Sequence, residues 1–194
     1  IALDTGSSIS ASLLVGVGVM DAGLVLVGPA LAAADSQVNV TGGLIAAGVD
    51  SFLGVASVLP LVALGNSSLQ AFGLLNVSGT ATVELGGSLV LAQGSTLQIN
   101  SGGGVSVFDG DGVSVFGTLI VSSSLPVVSL SNSTLDFVSG GVIFELVGST
   151  TASESVEGVN LTLGTERPLR GPDDGEGGGL PLQAPLLSVS ASSI

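Results

Sequence analysis

Leu75-Asn76-Val77, Thr82-Val83-Glu84-Leu85, Ser88-Leu89-Val90-Leu91, Thr96-Leu97-Gln98-Ile99 and Val105-Ser106-Val107-Phe108 are short runs of aliphatic residues alternating with polar ones. Gly, Ser or Asn fills most of the gaps between them. The series continues through Val113-Ser114-Val115-Phe116, Thr118-Leu119-Ile120-Val121, Val127-Val128-Ser129-Leu130, Thr134-Leu135-Asp136-Phe137 and Val142-Ile143-Phe144-Glu145-Leu146. Period-two alternation with such punctuation is the signature of strands. Runs of four or five residues are short for a sandwich strand. Every third run returns after roughly 22 residues (Val77 to Ile99, Val83 to Val105, Ile99 to Val121), which predicts one solenoid turn per repeat. Three short faces per turn make a triangular coil whose turns stack at about 4.8 Å.

Composition agrees with a narrow coil. Val, Leu, Ala and Ile dominate, Gly and Ser are abundant, and only six aromatic residues occur, all Phe. Small aliphatics suit an interior in which inward residues stack on their equivalents, and Gly and Ser suit its corners. The alternative is an immunoglobulin-like β-sandwich completed by a neighbour's strand. The chain is expected to form one β domain over residues 1–163, with its clearest repeats at 75–148. An acidic Gly/Pro-rich linker follows over 164–179, then an extended apolar segment over 180–194.

The first 70 residues share this composition with a blurred pattern. Val15-Gly16-Val17-Gly18-Val19 and Leu24-Val25-Leu26-Val27 read as strands, whereas Ala30–Asp35 and Gly43–Leu64 leave room for a short helix or cap. The stretch Leu13–Ala34 is apolar enough to resemble a signal or membrane segment. Asp21, Pro29 and four glycines interrupt it, and no basic flank precedes it, so buried strands are the expectation and membrane insertion is not. The chain starts at Ile1, as a processed or partial sequence would.

There is no Lys, His, Cys, Trp or Tyr, and Arg167 and Arg170 are the only basic side chains. The common zinc sites and His-based triads need residues that are missing. A formal charge of −13 with two arginines argues against binding a run of phosphates or an anionic membrane. Without cysteine, stability must come from packing and backbone ladders. The reading is therefore of a protein that is not an enzyme.

Five of the six asparagines stand in Asn-x-Ser/Thr triplets: Asn39, Asn66, Asn76, Asn132 and Asn160. Only Asn100 does not. Ser and Thr fill roughly a fifth of the chain, so this density exceeds chance, and such triplets accept N-linked glycan on secreted proteins. Asn39, Asn76 and Asn160 each lie between apolar neighbours, so alternation predicts that they face outward. Asn66 and Asn132 sit in turn-like surroundings, where asparagine also serves a solenoid corner. N-linked glycan and an extracellular or cell-surface location are the expectation.

Three smaller motifs are weighed beside these. Asp4-Thr5-Gly6 resembles the active-site loop of aspartic proteases, but that chemistry needs two carboxylates and no second Asp-Thr-Gly occurs. A turn is the expected role. Asp109-Gly110-Asp111-Gly112 resembles one copy of a calcium-binding β-roll repeat, which makes Asp109 and Asp111 a weak calcium candidate against a tight turn. Arg167-Pro168-Leu169-Arg170 has the spacing of a furin-type processing site.

Taken together, the runs over Leu75–Gly148 resemble secreted parallel β-helix surface proteins of the filamentous-adhesin and autotransporter-passenger type. The resemblance is one of architecture. It implies an elongated extracellular body that partners copies of itself, assembling by sheet continuation or strand exchange, as a fibre or coat subunit. The alternative is an adhesin that binds an extracellular glycan or matrix ligand.

Overall fold

A computed structural model describes residues 1–18, 22–48, 50–78, 81–100, 103–108, 118–123, 125–138, 142–147, 160–163 and 187–194, and among them every regular element is a β-strand. The chain opens with β1 (Ala2–Leu3), β2 (Ser8–Ala11), β3 (Val15–Val17) and β4 (Gly23–Leu26). The next coil is β5 (Leu31–Ala34), β6 (Gln37–Ala47) and β7 (Phe52–Val55), followed by β8 (Val62–Gly65), β9 (Ser68–Val77) and β10 (Thr82–Leu85). Then come β11 (Val90–Gln93), β12 (Thr96–Ile99), β13 (Gly103–Phe108) and β14 (Thr118–Val121). β15 (Val128–Ser131), β16 (Thr134–Phe137), β17 (Val142–Val147), β18 (Asn160–Leu163) and β19 (Leu187–Ser190) complete the series.

The strands form three sheets, and every pairing between them is parallel. The first sheet runs β1-β5-β8-β11-β15-β19 and the third runs β18-β14-β10-β7-β4. The second holds eight strands, including β6 and β9 at its centre. This is a parallel β-solenoid. An immunoglobulin-like sandwich, which needs antiparallel hairpins, does not fit.

The period differs from the one read in the sequence. Ala47 pairs with Val77 and Val77 with Val107, about thirty residues per coil, not 22. The reason lies in the second sheet. β6 and β9 are single long strands that bend midway, with a register shift between Val40 and Gly43, so each serves two alternating runs. From β10 on a coil therefore has four strands, and every fourth strand returns. Of the ten runs quoted above, Val113–Phe116 lies outside the described residues and the others coincide with strands, Leu75–Val77 as the end of β9.

The blurred N-terminal region is also strand. Ala30–Asp35 contains β5, and Gly43–Leu64 contains the end of β6, β7 and most of β8, so no helix or cap forms among the described residues there. The apolar stretch Leu13–Ala34 is divided among β3, β4 and β5, and no helix among the described residues is long and apolar enough to cross a membrane. Short strands win here because alternation leaves one face for the core, whereas a helix over the same residues would expose half its aliphatics.

The core is built of like on like. In the first sheet Leu31, Val62, Val90 and Val128 form one fully closed inward column. Val38, Leu69, Leu97 and Leu135 do the same in the second sheet, and Leu53, Val83 and Leu119 in the third. Each column buries aliphatic area at about 25 cal/mol per Å2 and holds the register, since a one-residue slip would turn the whole column outward.

Strand β19 docks on β15 of its own chain, pairing Leu187 with Val128 and Val189 with Leu130. The segment over 180–194 thus ends as the last strand of the first sheet. The linker over 164–179 lies outside the described residues.

Candidate functional surface

One corner of the coil is organised by a repeated pair, a left-handed residue followed by a buried serine. Gly6, Asp35, Asn66, Gly94, Asn132 and Ala191 all have positive φ, between 47° and 78°, and all stand where the first sheet hands over to the second. Asn, Asp and Gly tolerate this conformation best. The serines that follow Asp35, Asn66, Gly94 and Asn132 are Ser36, Ser67, Ser95 and Ser133, each buried. Their hydroxyls build a ladder. The Ser36 amide donates to Ser67 Oγ at 3.1 Å, Ser67 to Ser95 Oγ at 3.1 Å, Ser95 to Ser133 Oγ at 3.1 Å, and Ser133 to Ser192 Oγ at 2.9 Å. Each of these four acceptor hydroxyls donates in turn to the carbonyl two residues before it.

The corner explains part of the sequon pattern. Asn66 and Asn132 are the left-handed residues of their coils, with φ of 47° and 49°. Ser67 and Ser133 belong to the ladder, and Ser68 and Thr134 open the outward face of β9 and β16. Backbone geometry thus supplies a reason for Asn-Ser-Ser and Asn-Ser-Thr at these two places. All four hydroxyl or amide ends remain outside: Asn66, Ser68, Asn132 and Thr134 are exposed.

Asn39 and Asn76 face outward as alternation predicts, each exposed between buried neighbours in β6 and β9. Thr41 is exposed, while Ser78 is half-buried with its Oγ 3.5 Å from the Ala47 carbonyl. Asn160 opens β18 and pairs in register with Thr118. Asp109, Asp111, Arg167 and Arg170 lie outside the described residues.

Asp4-Thr5-Gly6 forms a turn, as expected. The Ser7 amide donates to the Asp4 carbonyl at 3.0 Å, and the Gly6 amide donates to the Asp35 carbonyl one coil on. Among the described residues, no group of three His, Cys, Asp or Glu side chains is placed to hold a metal ion.

Beside the serine corner lies the feature that sequence reading missed. The outward positions of β2, β6, β9, β12 and β16 stack in two polar columns. Ser8, Gln37, Ser68, Thr96 and Thr134 form one, and Ser193 extends it by an isolated bridge to Thr134. Ser10, Asn39, Gln70, Gln98 and Asp136 form the other. Over its first four rungs this surface forms an open groove of about 370 Å3, lined by the hydroxyls and carboxamides of these columns together with Ile9, Val38 and Leu69, and by no ionisable group. Alternation continues to the next outward position of β9, where Phe72 is 55% exposed on the same side as Ser68 and Gln70. The signal was in the sequence as Gln-Val-Asn-Val, Ser-Leu-Gln-Ala and Thr-Leu-Gln-Ile, but only the thirty-residue register aligns them.

A scan against protein-family models, a search of curated proteins and a search of solved structures each find nothing that matches the chain.

Proposed function

We propose that the chain is the structural body of an extracellular fibre or cell-surface coat, in which parallel sheets continue axially from one subunit to the next. The observation that carries this reading is the axial repetition of the core. Each coil offers the coil above and the coil below the same strand outline and the same aliphatic columns. A coil of one subunit therefore offers a second subunit what it offers its own neighbour. Uncapped solenoid ends and open strand edges recruit further strands in this way.

The first coil of this sequence carries the same aliphatic columns. Leu3, Ile9, Val15 and Leu24 pair with Ala33, Val38, Ile45 and Leu53, which are closed to solvent or nearly so, yet the first four are themselves only partly buried. Completing the burial of that layer takes parallel strands and aliphatic side chains, which a further coil supplies whether it belongs to the same chain or to a second copy. N-linked glycan at the exposed Asn39, Asn66, Asn76 and Asn132 would leave the axial ends free while blocking lateral contact, and the acidic charge adds solubility.

Electron microscopy of the purified chain from a secretory host, before and after enzymatic removal of N-glycan, tests the proposal. Regular filaments are the expected result, and Ile9→Asp, which places a charge in this partly buried layer, is expected to shorten or abolish them. Discrete particles at every concentration, with no mass lost on glycan removal, would overturn both parts of the reading.

A further inference from the structure

We infer that the polar groove over β2, β6, β9 and β12 binds a neutral, extended polysaccharide laid along the solenoid axis. Three observations support this choice of ligand. The first is the chemistry of the lining. Serine and threonine hydroxyls and the carboxamides of Gln37, Asn39, Gln70 and Gln98 both donate and accept, as the hydroxyls of a sugar do. The second is charge. None of the residues lining the groove is ionisable, Asp136 standing one rung beyond it, so the lining neither attracts a cationic polymer nor pairs an anionic one. The third is Phe72, whose exposed ring continues the Ser68–Gln70 row and gives the apolar face of a sugar ring a platform beside the hydrogen-bonding groups.

The array is preorganised. Its columns ride on backbone ladders with rungs about 4.8 Å apart, so the four rungs span about 14 Å. A periodic chain laid along the axis meets the same pair of polar rows at each step. A second copy of this protein, docking ladder to ladder, is the competing occupant.

The groove is available only where Asn39 is bare, because a glycan on its Nδ2 would lie across the second column. The inference is thus an alternative to glycan on Asn39, does not depend on axial assembly, and is tested on unglycosylated, unassembled protein. The full chain is produced in a bacterial host and passed as soluble material over microcrystalline cellulose, cross-linked dextran and an alginate gel. Retention on cellulose or dextran, undiminished by high salt, is the expected result, with none on alginate. Gln70→Glu and Phe72→Ala, both at exposed positions, should each weaken retention roughly tenfold or more. Leu91→Ser, on the outward face of the first sheet, should leave it unchanged. Thermal melts of each variant verify the fold.

Failure to bind either neutral matrix, equal retention of all variants, or loss of retention in salt would overturn the inference. So would a dimer in solution that Gln70→Glu dissolves, which would assign the ladder to a second copy. None of these outcomes bears on whether filaments form.

Discussion

The backbone amide of Ser67 donates to the hydroxyl of Ser95, 28 residues further along, at 3.1 Å. That hydroxyl donates to the Gln93 carbonyl at 2.9 Å. One buried side chain thus satisfies an amide of the coil before it and a carbonyl of its own strand end. Buried backbone groups left unpaired are costly, and the corners of a solenoid are where sheet ladders stop supplying partners. The serine ladder fills that gap.

Ser95→Ala is therefore expected to lower stability by about 1–3 kcal/mol, because the Ser67 amide loses its acceptor at the buried corner, whereas the Gln93 carbonyl keeps the Asn66 amide at 2.8 Å. Ser68→Ala, one residue past the corner and exposed, should change it by about 0.5 kcal/mol or less. Urea midpoints of the two variants decide the matter. Equal midpoints would mean that the ladder is incidental.

Asn66 separates backbone need from glycan need. Asn66→Gly and Asn66→Val both remove the sequon, but only glycine accepts φ of 47° without cost. Asn66→Val should lose about 1–2 kcal/mol and Asn66→Gly little. Measured on unglycosylated protein, a large loss for both would point to the side-chain amide, whose Oδ1 leans over Gly94 in the next coil.

Gly87 lies in the turn between β10 and β11, under the turn that precedes β8. A Cβ there would stand 2.6 Å from the carbonyl oxygens of both Val58 and Leu59, and backbone cannot give way as a side-chain tip can. Gly87→Ala is expected to cost about 1–3 kcal/mol. Gly23→Ala, with nothing within 4 Å of its Cβ, should be neutral or slightly stabilising, by up to about 1 kcal/mol. Thermal melts of the pair test the close approach.

Salt should promote axial assembly. Copies carrying a charge of −13 repel one another. Raising ionic strength from about 0.01 M to about 0.15 M shortens the screening length from about 30 Å to about 8 Å. Light scattering should rise across that range if aliphatic ends drive association. A fall would place attractive ion pairs at the junction.

Much of the architecture was legible in the chain because parallel β-solenoids write their interior locally. Thr82-Val83-Glu84-Leu85 and Thr96-Leu97-Gln98-Ile99 alternate within themselves, and their Val, Leu and Ile point inward as alternation requires. The period was misread because a bend inside a strand leaves the alternation on either side intact. The pair Asp35-Ser36, Asn66-Ser67, Gly94-Ser95 and Asn132-Ser133 marked the corner and recurs at 31, 28 and 38 residues. That corner pair carried the true spacing. Ser95 looked like any polar turn residue, because its burial depends on the turn stacked above it.

The sequence alone determined that this chain would fold as short strands around a thin aliphatic core, and that Asn39 and Asn76 would face solvent. Both follow from side chains that alternate every residue, a relation carried by near neighbours. The tertiary structure decided the coil length, the seating of β19 on β15, the serine ladder and the uncharged polar groove. Those depend on which residues meet across a rung, 28 or more positions apart, where the bend in β6 and β9 sets the register.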